Sequence, residues 1–209
     1  MKLVDRDYRI FSEVYRWRWC LGRHIRFLAG FDGSRACDRR LRVLIDNGYL
    51  ERRYILYGVP GLYLLTGQAK MLLGLPQREE KIRVEQILHD ILVLDTVIYF
   101  LVKHKIALAD ILSEKQMQSK DGFGGRKHFP DFIFTQGEMS NCVEIEIATK
   151  SKGRLDKIIS DNFNNYDKQY WIIPDTAYRN LEVLYQSKKT YSGIEVIPLE
   201  EVKEYVGHI

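Results

Sequence analysis

Along residues 5–19, Tyr8, Phe11, Val14 or Tyr15, and Arg18 fall three to four positions apart, with Arg6, Arg9, Glu13 and Arg16 between them. That spacing predicts a helix with one inward face. A second short helix is expected over 21–28, stopped by Ala29-Gly30. The turn Asp32-Gly33-Ser34 offers Ser34 as N-cap to a third helix over 35–46, which Asn47-Gly48 ends. Two runs with strand character, 49–57 and 62–65, flank the turn-rich Gly58-Val59-Pro60-Gly61. Thr66-Gly67-Gln68 then opens a helix to about residue 73. Three helices followed by a two-stranded ribbon is the order of a winged helix-turn-helix.

After the linker Gly74-Leu75-Pro76-Gln77, the pattern over 78–104 predicts one long helix, apolar nearly all round in its second half and therefore buried. Residues 110–117 read as more helix, and 120–125 as a loop or tight hairpin. Strands follow at 132–135 and 142–148, then a polar helix over 154–166 with Leu155, Ile158, Ile159 and Phe163 on one face. A strand at 170–173, a helix at 176–186, a strand at 194–198 and a helical turn at 200–205 complete the chain. This order predicts a mixed sheet with helices on its faces, and an α+β protein overall. Three segments result: residues 1–75, a connecting helix over 76–106, and an α/β domain over 107–209.

Composition adds limits. With 45% apolar and 29% charged residues and only 5 Pro in 209 residues, the chain is neither low-complexity nor collagen-like. Lys2, Asp5, Arg6, Asp7 and Arg9 crowd the first nine residues, so no signal peptide is expected there. The longest apolar stretch, 91–102, is interrupted by Asp95 and too short to cross a bilayer, so no membrane partner is expected. Cys20, Cys37 and Cys142 lack metal-ribbon or disulfide spacing, which points to the reducing cytoplasm. The net charge of +4 hides an asymmetry: residues 1–75 hold 14 basic and 7 acidic side chains, the remainder 18 and 21. A small arginine-rich part joined to a mildly acidic one suggests a nucleic-acid module attached to something else.

The third helix sharpens that reading. Ala36, Leu41, Leu44 and Ile45 are expected inward, leaving Arg35, Asp38, Arg39 and Arg42 outward and Arg40 at one edge. Arginine's planar fork suits both base edges and phosphates, and Arg52 and Arg53 on the ribbon would reach the backbone or minor groove. Double-stranded DNA is the expected partner of Arg35, Arg39, Arg40, Arg42, Arg52 and Arg53. The stretch CDRRLRVLIDNGYLERRYI…YLLTGQAKMLL resembles the winged helix of the replication-relaxation family of mobile-element proteins, in which an Arg-rich recognition helix runs into a Gly-Tyr-Leu wing. Other winged helices, including transcriptional regulators, share much of the pattern.

The second chemical motif is acidic. Pro130-Asp131 precedes a strand and Glu144-Ile145-Glu146 lies within one, so alternation puts Glu144 and Glu146 on one face. With Asp131 from a neighbouring strand they form a candidate three-carboxylate cluster of the kind that holds Mg²⁺ or Mn²⁺ for phosphodiester cleavage. The alternative is a strand with one wet face. Spacing and element order resemble the PD-(D/E)xK nuclease superfamily, which implies metal binding by Asp131 and Glu144. Its lysine position is Glu146 here. Lys150 lies four residues beyond, about 13 Å along an extended strand, and serves only if the chain folds back after Ala148. Glu114 occupies a helix where some members carry a further acidic residue. The replication-relaxation family also shows the Pro-Asp and Glu-x-Glu pattern, with a Lys and a Tyr on the next helix to which Lys157 and Tyr166 correspond.

The histidines show no metal-ligand spacing: His89 reads as a core histidine and His128 as a surface-loop one. Gly122-Phe123-Gly124-Gly125-Arg126 lacks the Gly-Lys-Ser/Thr ending of a phosphate loop and reads as a hairpin. These readings lead to a cytoplasmic DNA-binding accessory protein of a mobile element. The resemblance places it in plasmid mobilisation, conjugative transfer or replication, with a relaxase or replication protein as partner. Binding is favoured over catalysis. The alternatives are a metal-dependent endonuclease with catalytic Asp131, Glu144, Glu146 and Lys150, and a dimeric transcriptional regulator.

Overall fold

A computed structural model of the chain describes residues 1–121 and 128–207; the glycine-rich hairpin expected over 122–126 lies outside them. The fold is mixed α+β, and contacts divide it into two units, Met1–Leu94 and Asp95–Ile209.

The first unit begins with helices α1 (Asp5–Arg16), α2 (Gly22–Leu28) and α3 (Ser34–Asp46), followed by the antiparallel pair β1 (Leu50–Arg53) and β2 (Leu62–Leu65) and helix α4 (Gly67–Leu72). Helix α1 stops three residues short of the expected end, and Arg18 adopts a left-handed φ of 70°. Its buried side includes charged Asp7, Glu13 and Arg16 beside Ile10, Phe11 and Val14, whereas Tyr8 faces solvent. At α3 the N-cap is Gly33 and Ser34 is already helical; Cys37, Leu41 and Leu44 are buried, and Ala36, expected inward, is exposed. Gly48, at φ 73°, ends the α3 segment as expected. Thr66 caps α4 by accepting from the Ala69 N–H at 3.3 Å.

Residues 78–83 are not helical: the run Arg78 to Arg83 has one apolar residue, Ile82, to pack. A single 3₁₀ turn at Val84–Gln86 leads into α5 (Ile87–Lys103). Ile87 and Ile91 join Trp19, Leu21, Leu62 and Leu64 in one apolar cluster, so the first turns of α5 help to build the core of the first unit. His89, expected in a core, is only half-buried beside Asp90.

The second unit holds a five-stranded sheet in the order β3 (Ile111–Ser113), β4 (Phe132–Gln136), β5 (Met139–Ile145), β6 (Lys168–Ile173) and β7 (Ile194–Pro198). The first three run antiparallel, and β5, β6 and β7 are parallel. Helix α6 (Glu114–Asp121) precedes β4; α7 (Lys152–Asn165) and α8 (Tyr178–Ser187) make the crossovers, and α9 (Leu199–Gly207) follows β7. Strand β3 lies where helix was expected: Ile111 and Ser113 are buried through pairing with Phe134 and Phe132, contacts that a local pattern of three residues does not reveal. On one sheet face, Phe100 packs its ring against Phe132, Phe134 and Tyr170 at 5.2–5.8 Å between centroids. On the other, Trp171 and Ile173 meet Leu155, Ile158 and Ile159 of α7 and Leu184 of α8. Alternation therefore assigns Glu144, paired with Trp171, to the α7 face. Among the described residues no helix is long and apolar enough to cross a membrane.

Candidate functional site

In the first unit, the outer side of α3 carries exposed Arg35, Arg39 and Arg42. Arg39 Nε donates to the Arg35 backbone carbonyl at 3.3 Å, which holds the Arg39 guanidinium back along the helix surface. Arg40 is committed elsewhere: its Nε donates to Asp7 Oδ1 at 2.7 Å, a second nitrogen bonds Asp7 Oδ2, and the same nitrogen reaches the Lys2 carbonyl at 3.3 Å. On the ribbon, Arg52 lies over the rings of Tyr54 and Tyr63 at 4.9 and 5.3 Å. A side chain at Gly61 would fall 2.7 Å from Arg52 Nε, so glycine there lets this stack form. Arg53 pairs with Glu51 at 2.6 Å and Glu79 at 3.3 Å. Of the six arginines, Arg35, Arg39, Arg42 and Arg52 present cations outward, whereas Arg40 pairs with a buried carboxylate and Arg53 with two surface ones. The hairpin also exposes Tyr54 and Tyr57, which sequence reasoning did not single out.

In the second unit, the register that pairs Phe132 with Val143 continues to set Asp131 opposite Glu144. Asp131 Oδ2 accepts the Ile145 N–H at 2.7 Å. Glu144 and Glu146 are only 4% and 3% exposed, so the acidic face is not wet; α7 covers it because β5 continues into a parallel crossover rather than a solvated antiparallel edge. Glu144 Oε1 holds two partners, His128 Nε2 at 2.6 Å and the Asn162 amide at 2.9 Å. His128 lies on an irregular stretch before β4, as expected of a loop residue, but is half-buried with its ring at the carboxylate, and Asn162 joins it from α7. No sequence spacing pairs these two with Glu144.

Electrostatics follow from this packing. Burial raises the Glu144 pKa, and the charge of Asp131 adds to it, against the opposing bonds from His128 and Asn162. Burial alone would lower the His128 pKa, but the hydrogen bond and charge of Glu144, with Asp131 behind it, more than offset that and leave it raised; Lys150 opposes weakly. The pair favours a bound proton.

Lys150 returns to the site. β5 ends at Ile145, the Glu146 N–H still donates to Ile172 at 2.9 Å, and the chain then turns so that Lys150 Nζ bonds Glu146 Oε2. The extended separation of about 13 Å therefore does not apply. Glu146 Oε1 also accepts the Ala148 N–H at 3.3 Å, which stabilises the turn. The Glu114 carboxylate takes the Gln118 amide at 2.9 Å, and the Glu114 backbone N–H donates to the Asp131 carbonyl at 3.2 Å.

The carboxylate layer thus splits into Asp131, which accepts the Ile145 N–H, with Glu144, held by His128 and Asn162, and Glu146, held by Lys150. Among the described residues no three His, Cys, Asp or Glu side chains converge to hold a metal ion. Mg²⁺ commonly uses one or two carboxylates with water completing its shell, and Asp131 and Glu144 supply that number. Beside the pair, a cavity of about 440 Å³ is lined by His128 and Tyr166 and by one face of α7, including Lys157. The chain matches no protein-family model and no curated protein in sequence.

Proposed function

We propose that the protein is a double-stranded DNA-binding accessory protein of a mobile element, with a winged helix at its N-terminus and a restriction-endonuclease-like α/β domain after it. The observation that carries this reading is the outward row of Arg35, Arg39 and Arg42 on α3, with Arg52 on the ribbon that α3 leads into. Cations at these positions suit phosphate and base-edge contact in a major groove. The order helix, helix, helix, ribbon supports the winged-helix assignment, and an antiparallel meander followed by parallel crossovers supports the nuclease-like one. The role in plasmid mobilisation, conjugative transfer or replication, in the cytoplasm and with a relaxase or replication protein as partner, rests on the resemblance to the replication-relaxation family. The experiment is fluorescence anisotropy with duplexes selected from a random pool. Saturable, salt-sensitive binding supports the reading, and its absence at low salt rejects it.

A second reading is favoured by one observation, the return of Lys150 to Glu146 beside Asp131 and Glu144. In a metal-dependent endonuclease of PD-(D/E)xK type, Asp131 and Glu144 would hold Mg²⁺ or Mn²⁺, which supplies an activated water when bound. Lys150 would provide the ammonium that the strand position, occupied by Glu146, lacks. Against this, Glu144 already accepts from His128 and Asn162 on one oxygen. A nuclease-like fold that retains its carboxylates for binding and assembly accounts for these bonds, and binding remains the preferred function.

A further inference from the structure

Arg154, Lys157, Ile158, Asp161, Asn162 and Asn165 of α7 line the cavity. Their spacing of three, four, seven, eight and eleven residues puts them on one helix stripe. All but one are polar, on a helix whose opposite side, Leu155 and Ile159, is buried in the core. His128 and Tyr166 complete the wall.

Charge and donor placement differ along the stripe. Arg154 and Lys157 stand one turn apart, exposed, and without an ion-pair partner among the described residues. Two adjacent cations repel each other unless an anion sits between them, and a guanidinium beside an ammonium suits a phosphate. Asn165 lies eight residues beyond Lys157, about 12 Å along the axis. There the amide nitrogens are occupied, that of Asn162 by Glu144 and that of Asn165 by the Asp161 carbonyl. Their amide oxygens are left as acceptors, and the Asp161 carboxylate lies on the same stripe. Tyr166 adds a phenol that burial pushes up to about 12, so it remains a neutral donor. The volume, about 440 Å³, exceeds what a lone phosphate fills and falls in the range of roughly 300–1,000 Å³ typical of small-molecule sites.

We propose that this cavity binds a nucleoside 5′-monophosphate unit, with the phosphate at Arg154 and Lys157 and the sugar and base towards Asn162, Asn165 and Tyr166. The unit is either a free nucleotide or the phosphorylated end of a DNA strand, which share this chemistry. The inference stands apart from the arginine row of α3.

The test is calorimetric titration of the full chain with the four deoxynucleoside 5′-monophosphates, the matching nucleosides and inorganic phosphate. At least one nucleotide binds at one site per chain, and its nucleoside and inorganic phosphate bind at least tenfold more weakly. Arg154→Ala and Lys157→Ala, both at exposed positions, each weaken the nucleotide at least tenfold while circular dichroism stays unchanged. No saturable nucleotide binding, or unchanged affinity in the double variant, overturns the proposal. Displacement of the nucleotide by a 5′-phosphorylated oligonucleotide but not by its 5′-hydroxyl counterpart assigns the site to strand ends, and displacement by neither assigns it to free nucleotide. Equal displacement by both overturns the monoester assignment. Arg39→Ala/Arg42→Ala leaves nucleotide binding intact, so this site and the duplex-binding face fail separately.

Discussion

The Lys150 ammonium bonds the Glu146 carboxylate across a turn that begins as β5 ends, joining two side chains that an extended strand would keep apart. Glu146 is almost wholly buried, while the Lys150 side chain keeps 22% of its exposure. The lysine therefore serves as counter-ion to a carboxylate shut away from water. Lys150→Ala leaves that charge unpaired and is expected to destabilise the protein by about 3 kcal/mol. The double variant Lys150→Met/Glu146→Gln, which removes both charges, loses clearly less. Urea denaturation of the three proteins checks the order.

The same lysine separates the two functional readings. Nicking of supercoiled plasmid in Mg²⁺ and Mn²⁺ is expected to be weak or absent in the wild type, with duplex binding unaffected by Asp131→Ala. Robust wild-type nicking that disappears in Asp131→Ala, Glu144→Ala and Lys150→Ala would establish the endonuclease instead.

On α3, the arginines divide by partner. Asp7 is fully buried and depends on Arg40, so Arg40→Ala is expected to cost about 3–5 kcal/mol of stability. Arg39→Ala and Arg42→Ala, at exposed positions, stay within about 0.5 kcal/mol. Thermal melts of the three variants show whether Arg40 alone is structural.

Affinity should divide in the opposite sense. Arg39→Ala and Arg42→Ala are each expected to lose about 1–3 kcal/mol of duplex binding if they reach base edges. The slope of log affinity against log salt is expected to fall by about 0.9 for each phosphate contact removed. Anisotropy titrations at several salt concentrations measure both. Unchanged affinity in the double variant removes α3 as a recognition helix.

The His128–Glu144 pair predicts a pH dependence. Both groups hold a proton more tightly when folded than when unfolded, since both pKa values are raised. The His128 contribution is complete below the ordinary histidine value, about 6.5, and is lost as pH rises through the raised one. Stability should therefore decline as pH rises above the ordinary histidine value. Glu144, Asp131 and Lys150 are the charges that act on the ring. NMR titration should place the His128 pKa above its ordinary value in the wild type and lower it in Glu144→Gln. His128→Gln should flatten the stability slope.

Local pattern alone was enough to locate α2, α3, both ribbon strands, β4, β6, β7 and most of α7. Each carries its own period or turn residues: Gly48 ends the α3 segment, and Thr66 caps α4. The sequence also determined the acidic positions Asp131, Glu144 and Glu146 and the arginine density of α3, because these are matters of residue type and spacing. Tertiary structure decided what each charge meets. Asp7 lies 33 residues before Arg40, His128 is 16 before Glu144, and Asn162 is 18 after it. Side chains so far apart in the chain meet only after strands pair and helices pack. Strand β3 and the partial exposure of His89 were hidden for the same reason: burial depends on which neighbour arrives, and three or four residues do not encode that. The return of Lys150 needed the end of β5 and the buried charge of Glu146 together, a combination that exists only in the folded chain.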